Sequence, residues 1–345
     1  MVLCIDILPF PDTPPSRRNI PRYLHDTKSV AVNDQIWYLI GIDSADPSNS
    51  KYQIHFRTLN TENHEVTIYG NCETPFENGM LVESATSDGD FIYILLRRST
   101  ERNCRLLKFD TKSMSFINDY LIETGNTIQG PFFVQENYIY YKDRVFVKKL
   151  DLTDKSIKAY YQLQVTQSLD STLMLVNNEV HLVCAFGNNR VVAMFDDNLV
   201  PQTISQDTSN FDRPFLVTNG TLFEQKDTPL DPNKIKNVID TFDFDKRKWC
   251  QVVDRDIQKV TRNMIVETVT ECNGRFYIFA ANYVRVLDLQ PKLGDICLTN
   301  IIKKMLADPM RATRIMEELP IPQRDKVKKI IMFRLGEVDF NSIFN

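Results

Sequence analysis

Six copies of one short pattern run along the sequence, and this repetition constrains the fold more than any single residue does. Each copy has an apolar run, a polar turn, a second apolar run rich in aromatics, and a third run that ends in an acid or an amide. The turns are Asn33-Asp34, Asp88-Gly89, Glu136-Asn137, Asn177-Asn178, Asn219-Gly220 and Asn273-Gly274. The third runs end at Asn60, Asp110, Asp151, Asp196, Asp245 and Asp288, so successive copies are 50, 41, 45, 49 and 43 residues apart.

The period of the pattern indicates the architecture. Repeats of roughly 40 to 50 residues with several strands each are typical of β-propeller blades. Asn-Gly and Asp-Gly pairs between apolar runs are strong hairpin signals, because asparagine, aspartate and glycine all tolerate positive φ. The acids and the one amide that end the third runs recur once per copy, so we expect their side chains to cap backbone N–H groups in turns. The sequence therefore predicts an all-β, six-bladed β-propeller.

The apolar runs after the turns are nearly continuous, as in Phe91–Ile94 and Phe276–Phe279. Continuous apolar runs are expected where both faces of a strand are covered by neighbouring blades. A fourth strand would then follow each third run, for example over Ile157–Leu163. Val2–Leu8 also has the composition of a strand. We expect this N-terminal strand to complete the last blade, because closure of a ring of blades removes exposed strand edges.

Two stretches resemble Kelch repeats. Pro21–His25 followed by Val30–Trp37 is similar to the opening of such a repeat, and Thr241–Trp249 is similar to its close, where an aspartate-bearing strand leads to a tryptophan. Kelch blades usually carry a Gly-Gly pair after the second strand, whereas this chain has only Gly41 and Gly187 at such places. The resemblance, over about residues 20 to 290, implies a scaffold or substrate-receptor role, including that of a ubiquitin-ligase substrate adaptor.

The pattern changes near residue 293, so the predicted domains are a propeller over 1–293 and a helical extension over 294–345. Apolar residues recur at helical spacing in this extension, and charged residues lie largely between them. Such faces either pack on the propeller or dock a partner helix-in-groove, and the sequence leaves both open. The candidate docking residues in the extension are Ile315, Leu319, Ile330, Ile331 and Leu335.

Composition limits the partners and the compartment. The net charge of -4 and the pI near 5.7 do not favour general binding to nucleic acid or to an anionic membrane. Seven cysteines occur in an odd number and without C-x-x-C spacing, which favours reduced thiols in the cytoplasm or the nucleus. No run reaches the ~20 apolar residues that span a bilayer.

The sequence contains no recognisable catalytic, cofactor or metal-binding motif. Its four histidines are isolated, and His181 is expected to be a hydrogen-bonded core residue. Loops of a rigid propeller are the natural place for binding, and Arg97 and Arg98 follow one predicted strand, where they could receive a carboxylate or a phosphate. We therefore predict a non-catalytic module that binds protein partners without a cofactor. The alternative from another class is a propeller-fold glycan hydrolase, whose site would be assembled from several blades.

Overall fold

The computed structural model describes residues 3–7, 27–43, 51–62, 65–98, 101, 103–122, 128, 131–143, 145–163, 171–176, 178–186, 189–208, 216–218, 221–225, 238–243, 246–253, 266–273, 275–280, 283–288 and 320. Every regular element among these residues is a β-strand. In chain order the strands are β1 (Leu3–Ile7), β2 (Thr27–Val32), β3 (Gln35–Asp43), β4 (Lys51–Asn60), β5 (Val66–Glu77), β6 (Met80–Asp88), β7 (Phe91–Arg98), β8 (Cys104–Asp110), β9 (Ser115–Ile122), β10 (Phe133–Gln135), β11 (Tyr138–Asp143), β12 (Phe146–Asp151), β13 (Ile157–Gln162), β14 (Ser171–Val176), β15 (Glu179–Phe186), β16 (Asn189–Phe195), β17 (Pro201–Thr208), β18 (Leu216–Thr218), β19 (Thr221–Gln225), β20 (Val238–Asp243), β21 (Lys248–Val253), β22 (Val266–Cys272), β23 (Arg275–Ala280) and β24 (Tyr283–Asp288).

The described strands form four-stranded antiparallel sheets, each built from one copy of the sequence pattern. Sheets 1 to 5 are β2–β5, β6–β9, β10–β13, β14–β17 and β18–β21, and sheet 6 is β22–β24 with β1. In sheets 1 to 5 the spatial order of the strands is their chain order, so each sheet is a simple meander. A four-stranded meander is the blade unit of a β-propeller. The architecture is therefore all-β and propeller-like, as the period predicts.

The N-terminal strand completes sheet 6. β1 pairs antiparallel with β24, from Leu3 opposite Asp288 to Ile7 opposite Val284. The edge of β24 is consequently covered by a strand from the other end of the described chain. The sequence predicts a strand of this kind over Val2–Leu8, and Leu3–Ile7 forms it.

In five of the six repeats, all except that of sheet 5, the described part of the first turn holds a residue in the left-handed region. Asn33, Glu136, Asn178 and Asn273 have φ between 53° and 64°. The turn predicted at Asp88-Gly89 is wrong by one residue, because Asp88 is the last residue of β6 and the turn is Gly89-Asp90. Gly89 takes the positive φ of 58°, which places the glycine first in the turn. Glycine adopts this conformation without a Cβ clash, so it fixes the position of the turn.

The residues that end the third strands cap backbone amides, as predicted. The side-chain oxygens of Asn60, Asp110, Asp151 and Asp196 accept hydrogen bonds from the backbone N–H two residues later, at 2.8–2.9 Å. Each forms an Asx-turn, in which a short polar side chain replaces a backbone acceptor. The fourth strand then begins within a few residues in each of these sheets.

A second set of bonds joins these turns to the first turns. The backbone N–H groups of Thr61, Thr111 and Leu152 donate to the carbonyls of Asp34, Asp90 and Asn137 at 2.8–3.2 Å. The same bond therefore recurs in sheets 1, 2 and 3, between the residue after the third strand and the second residue of the first turn. In these three sheets the bond holds the turn after the first strand beside the turn after the third strand.

Contacts divide the chain into two compact units, Pro21–Val253 and a second unit of Met1–Ile20 with Asp254–Asn345. Within Pro21–Val253, consecutive sheets share apolar clusters. Phe56 of sheet 1 stacks on Phe109 of sheet 2, with ring centroids 4.2 Å apart, and Phe242 of sheet 5 packs with residues of sheet 4. Two further clusters join sheet 2 to sheet 3 and sheet 3 to sheet 4. The second strands are buried on both faces, which explains their nearly continuous apolar runs.

Several predictions fall outside the described residues. They are the helical extension over 294–345, its docking residues Ile315, Leu319, Ile330, Ile331 and Leu335, the turn at 219–220 and the residue Asp245. No helix in the described part of the chain is long and apolar enough to cross a membrane.

Candidate partner-binding surfaces

Arg97 is held by a carboxylate of its own sheet. Its Nε donates to Oε1 of Glu83 at 2.7 Å, and its Nη2 lies 2.5 Å from the same oxygen. Both side chains are about four-fifths buried, so the pair is partly shielded from solvent. Arg97 is on β7 and Glu83 on β6, so this ion pair ties the second strand of sheet 2 to the first. The charge of Arg97 is therefore compensated within the sheet.

Arg98 is the more accessible of the two predicted arginines. Successive side chains of a strand point to opposite faces, so Arg97 and Arg98 do not act as a pair. Arg98 lies 3.4 Å from a carboxylate oxygen of Glu77 and 3.8 Å from one of Glu101, and both acids are half exposed or more. Exposed ion pairs of this length contribute little to stability. An incoming carboxylate could replace either of them at Arg98.

Large apolar side chains are exposed on the outer strands, a feature that sequence reasoning missed. Ile68 and Tyr69 lie on β5, Ile117 on β9, and Ile157 and Tyr160 on β13, and Val200 directly precedes β17; each is 45–66% exposed. Except for Val200, these are positions of the fourth strands of sheets 1 to 3. A long apolar run would have drawn attention to them, but each lies in a run of at most three apolar residues. The outer strands therefore present apolar contacts to solvent.

A groove of about 570 Å³ separates β5 from β9 beside this apolar surface. Cys72 and Pro75 line one wall, and Met114, Phe116 and Ile117 line the other. Phe116 rests against Phe109 of the sheet 1–sheet 2 core, with centroids 5.2 Å apart. Burial raises the pKa of the Cys72 thiol, so this side chain stays protonated and acts as an apolar group. We call this feature the outer groove.

A second, more polar opening lies between sheets 3 and 4, and we call it the sheet 3–4 cleft. Its volume is about 820 Å³. Its walls come from the first turn of sheet 3 with Tyr138 and Tyr140, from the first turn of sheet 4, and from the turn after β16 with Asp197. Gln135 Nε2 donates to the carbonyl of Asn178 at 3.3 Å and joins the two sheets there. The two sheet 4 segments follow the first turn of sheet 3 by about 40 and about 60 residues, so the cleft could not be predicted from the pattern.

Lys149 forms one side of the cleft. It is almost fully buried, and its Nζ lies 4.5 Å from the ring centroid of Tyr138 and 5.5 Å from that of Tyr140. The same Nζ donates to the carbonyl of Asp197 at 3.3 Å, across the boundary between the two sheets. The desolvation of this ammonium group is offset by the ring faces and by the Asp197 oxygen. Lys149 therefore stabilises the cleft and is itself compensated.

His181 occupies the core near this cleft, as the sequence predicts. It is 3% exposed, and its Nδ1 lies 3.0 Å from the backbone carbonyl of Glu179. Burial lowers the pKa of His181, and the Glu179 carbonyl and carboxylate oppose this effect more weakly. The imidazole is consequently neutral at neutral pH, with Nδ1 as the donor.

Buried ionic groups at the other end of sheet 3 are paired. Lys142 donates to the carbonyl and the hydroxyl of Ser171 on sheet 4, at 2.8 and 3.0 Å. Asp143, which is fully buried, accepts from Lys148 at 2.5 Å and from the backbone N–H of Phe146 at 3.1 Å. These bonds tie neighbouring elements together. Among the residues that the structure describes, no group of three His, Cys, Asp or Glu side chains could hold a metal ion.

Comparison with known proteins gives a likeness of fold. No family model and no curated protein sequence matches the chain. A protein from Bacteroides fragilis is similar in structure, with a TM-score of 0.50 and 10% identity over 84% of this chain and 96% of that one. The β-propeller domain of the Trilobed protease from Pyrococcus furiosus gives a TM-score of 0.44 at 10% identity, over 75% and 78% of the two chains. BamB from Moraxella catarrhalis gives 0.40 at 10% identity, over 85% and 99%.

These likenesses are at one-tenth identity and therefore concern the fold alone. The β-propeller-like architecture follows from the four-stranded sheets of this chain, and no family is assigned.

Proposed function

We propose that this chain is a non-catalytic protein-interaction module of the cytoplasm or nucleus. In this proposal, residues 1–293 form a six-bladed, Kelch-like propeller that binds a protein partner without a cofactor. The helical extension over 294–345 provides a second docking element, with Ile315, Leu319, Ile330, Ile331 and Leu335 as its contact residues. The repeated four-stranded sheets, the last completed by the pairing of β1 with β24, support the blade units of this proposal.

The observation that carries the binding proposal is the exposed apolar surface of the outer strands. Exposed apolar side chains that gather on one surface mark protein interaction sites more often than scattered ones do. Ile68 and Tyr69 on β5 and Ile117 on β9 belong to the two strands that border the outer groove. Aromatic and aliphatic side chains around a groove are also typical anchors of protein interfaces. We therefore place the main partner contact on the outer strands of sheets 1 and 2.

A co-purification experiment tests this placement. The tagged full-length chain is cross-linked in cell extract, its partner is identified by mass spectrometry, and the affinity for the purified partner is measured. The double variant Ile68→Ser/Ile117→Ser should bind at least about tenfold more weakly, because each apolar side chain buried in an interface contributes roughly 1.5–3 kcal/mol. Both residues are about half exposed, so the variant should keep its fold.

The matched control is Thr67→Ser/Asn118→Ser, which changes exposed neighbours on the same two strands. It should retain the affinity of the wild type. The proposal is wrong if no protein is retained by the wild type, or if both double variants bind equally well. A chain that ends at Gly294 then separates the two proposed docking elements, provided that its unfolding transition matches that of the full chain.

The ubiquitin-ligase adaptor and glycan-hydrolase alternatives remain predictions from the sequence. The carboxylates nearest to Arg97 and Arg98 are Glu83, Glu77 and Glu101, and each is paired with one of these two arginines. No contact among the described residues favours either alternative over partner binding.

A further inference from the structure

Some of the carboxylates that line the sheet 3–4 cleft are not compensated by ion pairs among the described residues. Four carboxylates line it, those of Glu136, Glu179, Asp196 and Asp197, against the two ammonium groups of Lys149 and Lys158, which leaves a formal charge of -2. Lys149 contacts Asp197, and Lys158 contacts Asp154 and Asp151. The carboxylate of Asp196 accepts the backbone N–H groups of its own turn. Glu136 and Glu179 have no ion pair among the described residues.

Glu136 lies in a hairpin turn, and Glu179 is the first residue after one. Glu136 has a φ of 56° in the first turn of sheet 3, and Glu179 follows Asn178, whose φ is 64°, in the first turn of sheet 4. The bond from Gln135 to the Asn178 carbonyl joins the two turns. Both carboxylates therefore lie at the rim of one cleft without needing to order a loop on binding, which lowers the entropic cost of binding a ligand.

The wall of the cleft already accommodates a cation beside aromatic rings. Lys149 lies over Tyr138 and Tyr140, and its ammonium is satisfied by Asp197 from the neighbouring sheet. Tyr138 is only partly buried and reaches the cleft next to Glu136. Tyrosine rings beside carboxylates recognise a guanidinium well, because arginine stacks on rings and also forms bidentate hydrogen bonds with carboxylates.

We propose that the sheet 3–4 cleft binds an extended peptide segment that carries arginine, with Glu136 and Glu179 pairing with the guanidinium. This inference rests on the proposed protein-binding function and adds the site and the chemistry of the bound segment. The charge of -2 opposes anionic ligands and favours cationic ones. A volume of about 820 Å³, open across two sheets, is near the upper end of ligand pockets and accommodates more than one side chain.

A peptide-binding measurement tests the proposal on the full-length chain. The probe is a fluorescein-labelled peptide of sequence Gly-Ala-Arg-Ala-Arg-Ala-Gly, and fluorescence anisotropy gives its affinity at low and at moderate salt. The wild type should bind it with a Kd below about 1 mM, and more weakly as salt screens the exposed carboxylates. The variant Glu136→Gln/Glu179→Gln should bind at least about tenfold more weakly, because both anionic partners of the guanidinium are removed while the shape is kept.

The matched control is Glu62→Gln/Glu65→Gln, which removes the same charge from an exposed turn of sheet 1 and should bind the probe within about twofold of the wild type. A peptide with glutamate in place of arginine should not bind. The inference is overturned by the absence of binding at ~1 mM probe, by equal loss in both double variants, or by tighter binding of the glutamate peptide, which would assign the cleft to an anion held by Lys149.

The outcome for the cleft is independent of the outcome for the outer strands. If the arginine peptide fails while Ile68→Ser/Ile117→Ser still weakens the cross-linked partner, the inference falls and the proposed function stands. If no partner binds the wild type at all but the arginine peptide does, the outer-strand placement falls and the cleft remains a peptide site.

Discussion

At the scale of a single residue, Gly41 shows how closely neighbouring side chains approach the backbone in sheet 1. A Cβ added to Gly41 would lie 1.8 Å from the hydroxyl oxygen and 2.8 Å from Cζ of Tyr52, which is 1% exposed. The added Cβ would also lie 3.1 Å from Cγ2 of Val82 on sheet 2. The glycine is therefore required by the packing of the Tyr52 ring across β3, and no unusual φ is involved.

Replacing Gly41 by alanine should destabilise the fold. We expect Gly41→Ala to lower the free energy of unfolding by about 2–3 kcal/mol, because a fully buried ring must move in a close-packed core. Urea unfolding measures the change. Tyr52→Phe removes the nearest atom, so the double variant should lose less stability than the sum of the two single variants. Additive losses, or a Gly41→Ala variant as stable as the wild type, would contradict this explanation.

The sequence predicts the position of Gly41 but not the contact that requires a glycine there. Gly41 stands out in the sequence only by its likeness to one member of a Kelch glycine pair, which marks the position but gives no reason for it. The reason is a tyrosine that pairs one strand further on and projects over the glycine. The same limit applies to Arg97, whose partner Glu83 is on the preceding strand in a register that includes a β-bulge.

At the scale of elements, the most regular feature is the Asx-turn after the third strands of sheets 1 to 4. Asp196 is its clearest instance, because Oδ1 accepts the N–H groups of both Asn198 and Val200, at 2.9 and 2.8 Å. These bonds place the start of β17 beside β16. The equivalent position in sheet 1 is Asn60, whose amide oxygen accepts the N–H of Glu62 in the same way. The acceptor oxygen is therefore what the turn requires, and a negative charge is dispensable.

Substitutions at Asp196 should show whether the turn needs the acceptor oxygen or the negative charge. Asp196→Ala should lower the free energy of unfolding by about 1 kcal/mol or more, because two turn amides lose their acceptor. Asp196→Asn should be close to the wild type. Thermal or urea unfolding measures both. The control is Asp197→Ala, which removes an almost fully exposed carboxylate and keeps the backbone carbonyl that accepts the Lys149 hydrogen bond. If Asp196→Ala and Asp196→Asn lose the same free energy of unfolding, or if Asp196→Ala loses no more than Asp197→Ala, the turn is held by other contacts.

Elements were predictable where the signal is local. A hairpin turn or an Asx-turn depends on a few consecutive residues, so the capping residues Asn60, Asp110, Asp151 and Asp196 were found from their recurrence. The turn near Asp88 was misplaced by one residue because both Asp88-Gly89 and Gly89-Asp90 suit a turn, and the choice depends on the pairing of β6 with β7. The sheet 3–4 cleft was missed because it depends on which sheets become neighbours.

At the scale of the whole molecule, the period determined the architecture. Copies of one strand–turn pattern about 41 to 50 residues apart predict meanders of four strands, and sheets 1 to 6 each contain one copy. The exposed apolar residues of β5, β9 and β13 recur near the same period, but the pattern does not indicate which fourth-strand positions face solvent. Surfaces between sheets depend on which sheets become neighbours, and a period in the sequence does not give this. Function on such a scaffold depends on these surface residues, while the period maintains the fold.

The strand at the beginning of the chain gives the last prediction. β1 supplies the fourth strand of sheet 6 through five paired residues on β24, so its removal would leave β24 as an open edge. Open strand edges lose hydrogen bonds and invite association. We expect a chain lacking Met1–Phe10 to unfold at a temperature lower by about 5 °C or more and to aggregate at lower protein concentration. Scanning calorimetry and light scattering measure the two effects. A synthetic Met1–Phe10 peptide added in trans should restore part of the stability by strand addition, whereas a peptide of scrambled order should not. If the shortened chain unfolds at the same temperature, or if both peptides act alike, the pairing of β1 with β24 does not stabilise the sheet.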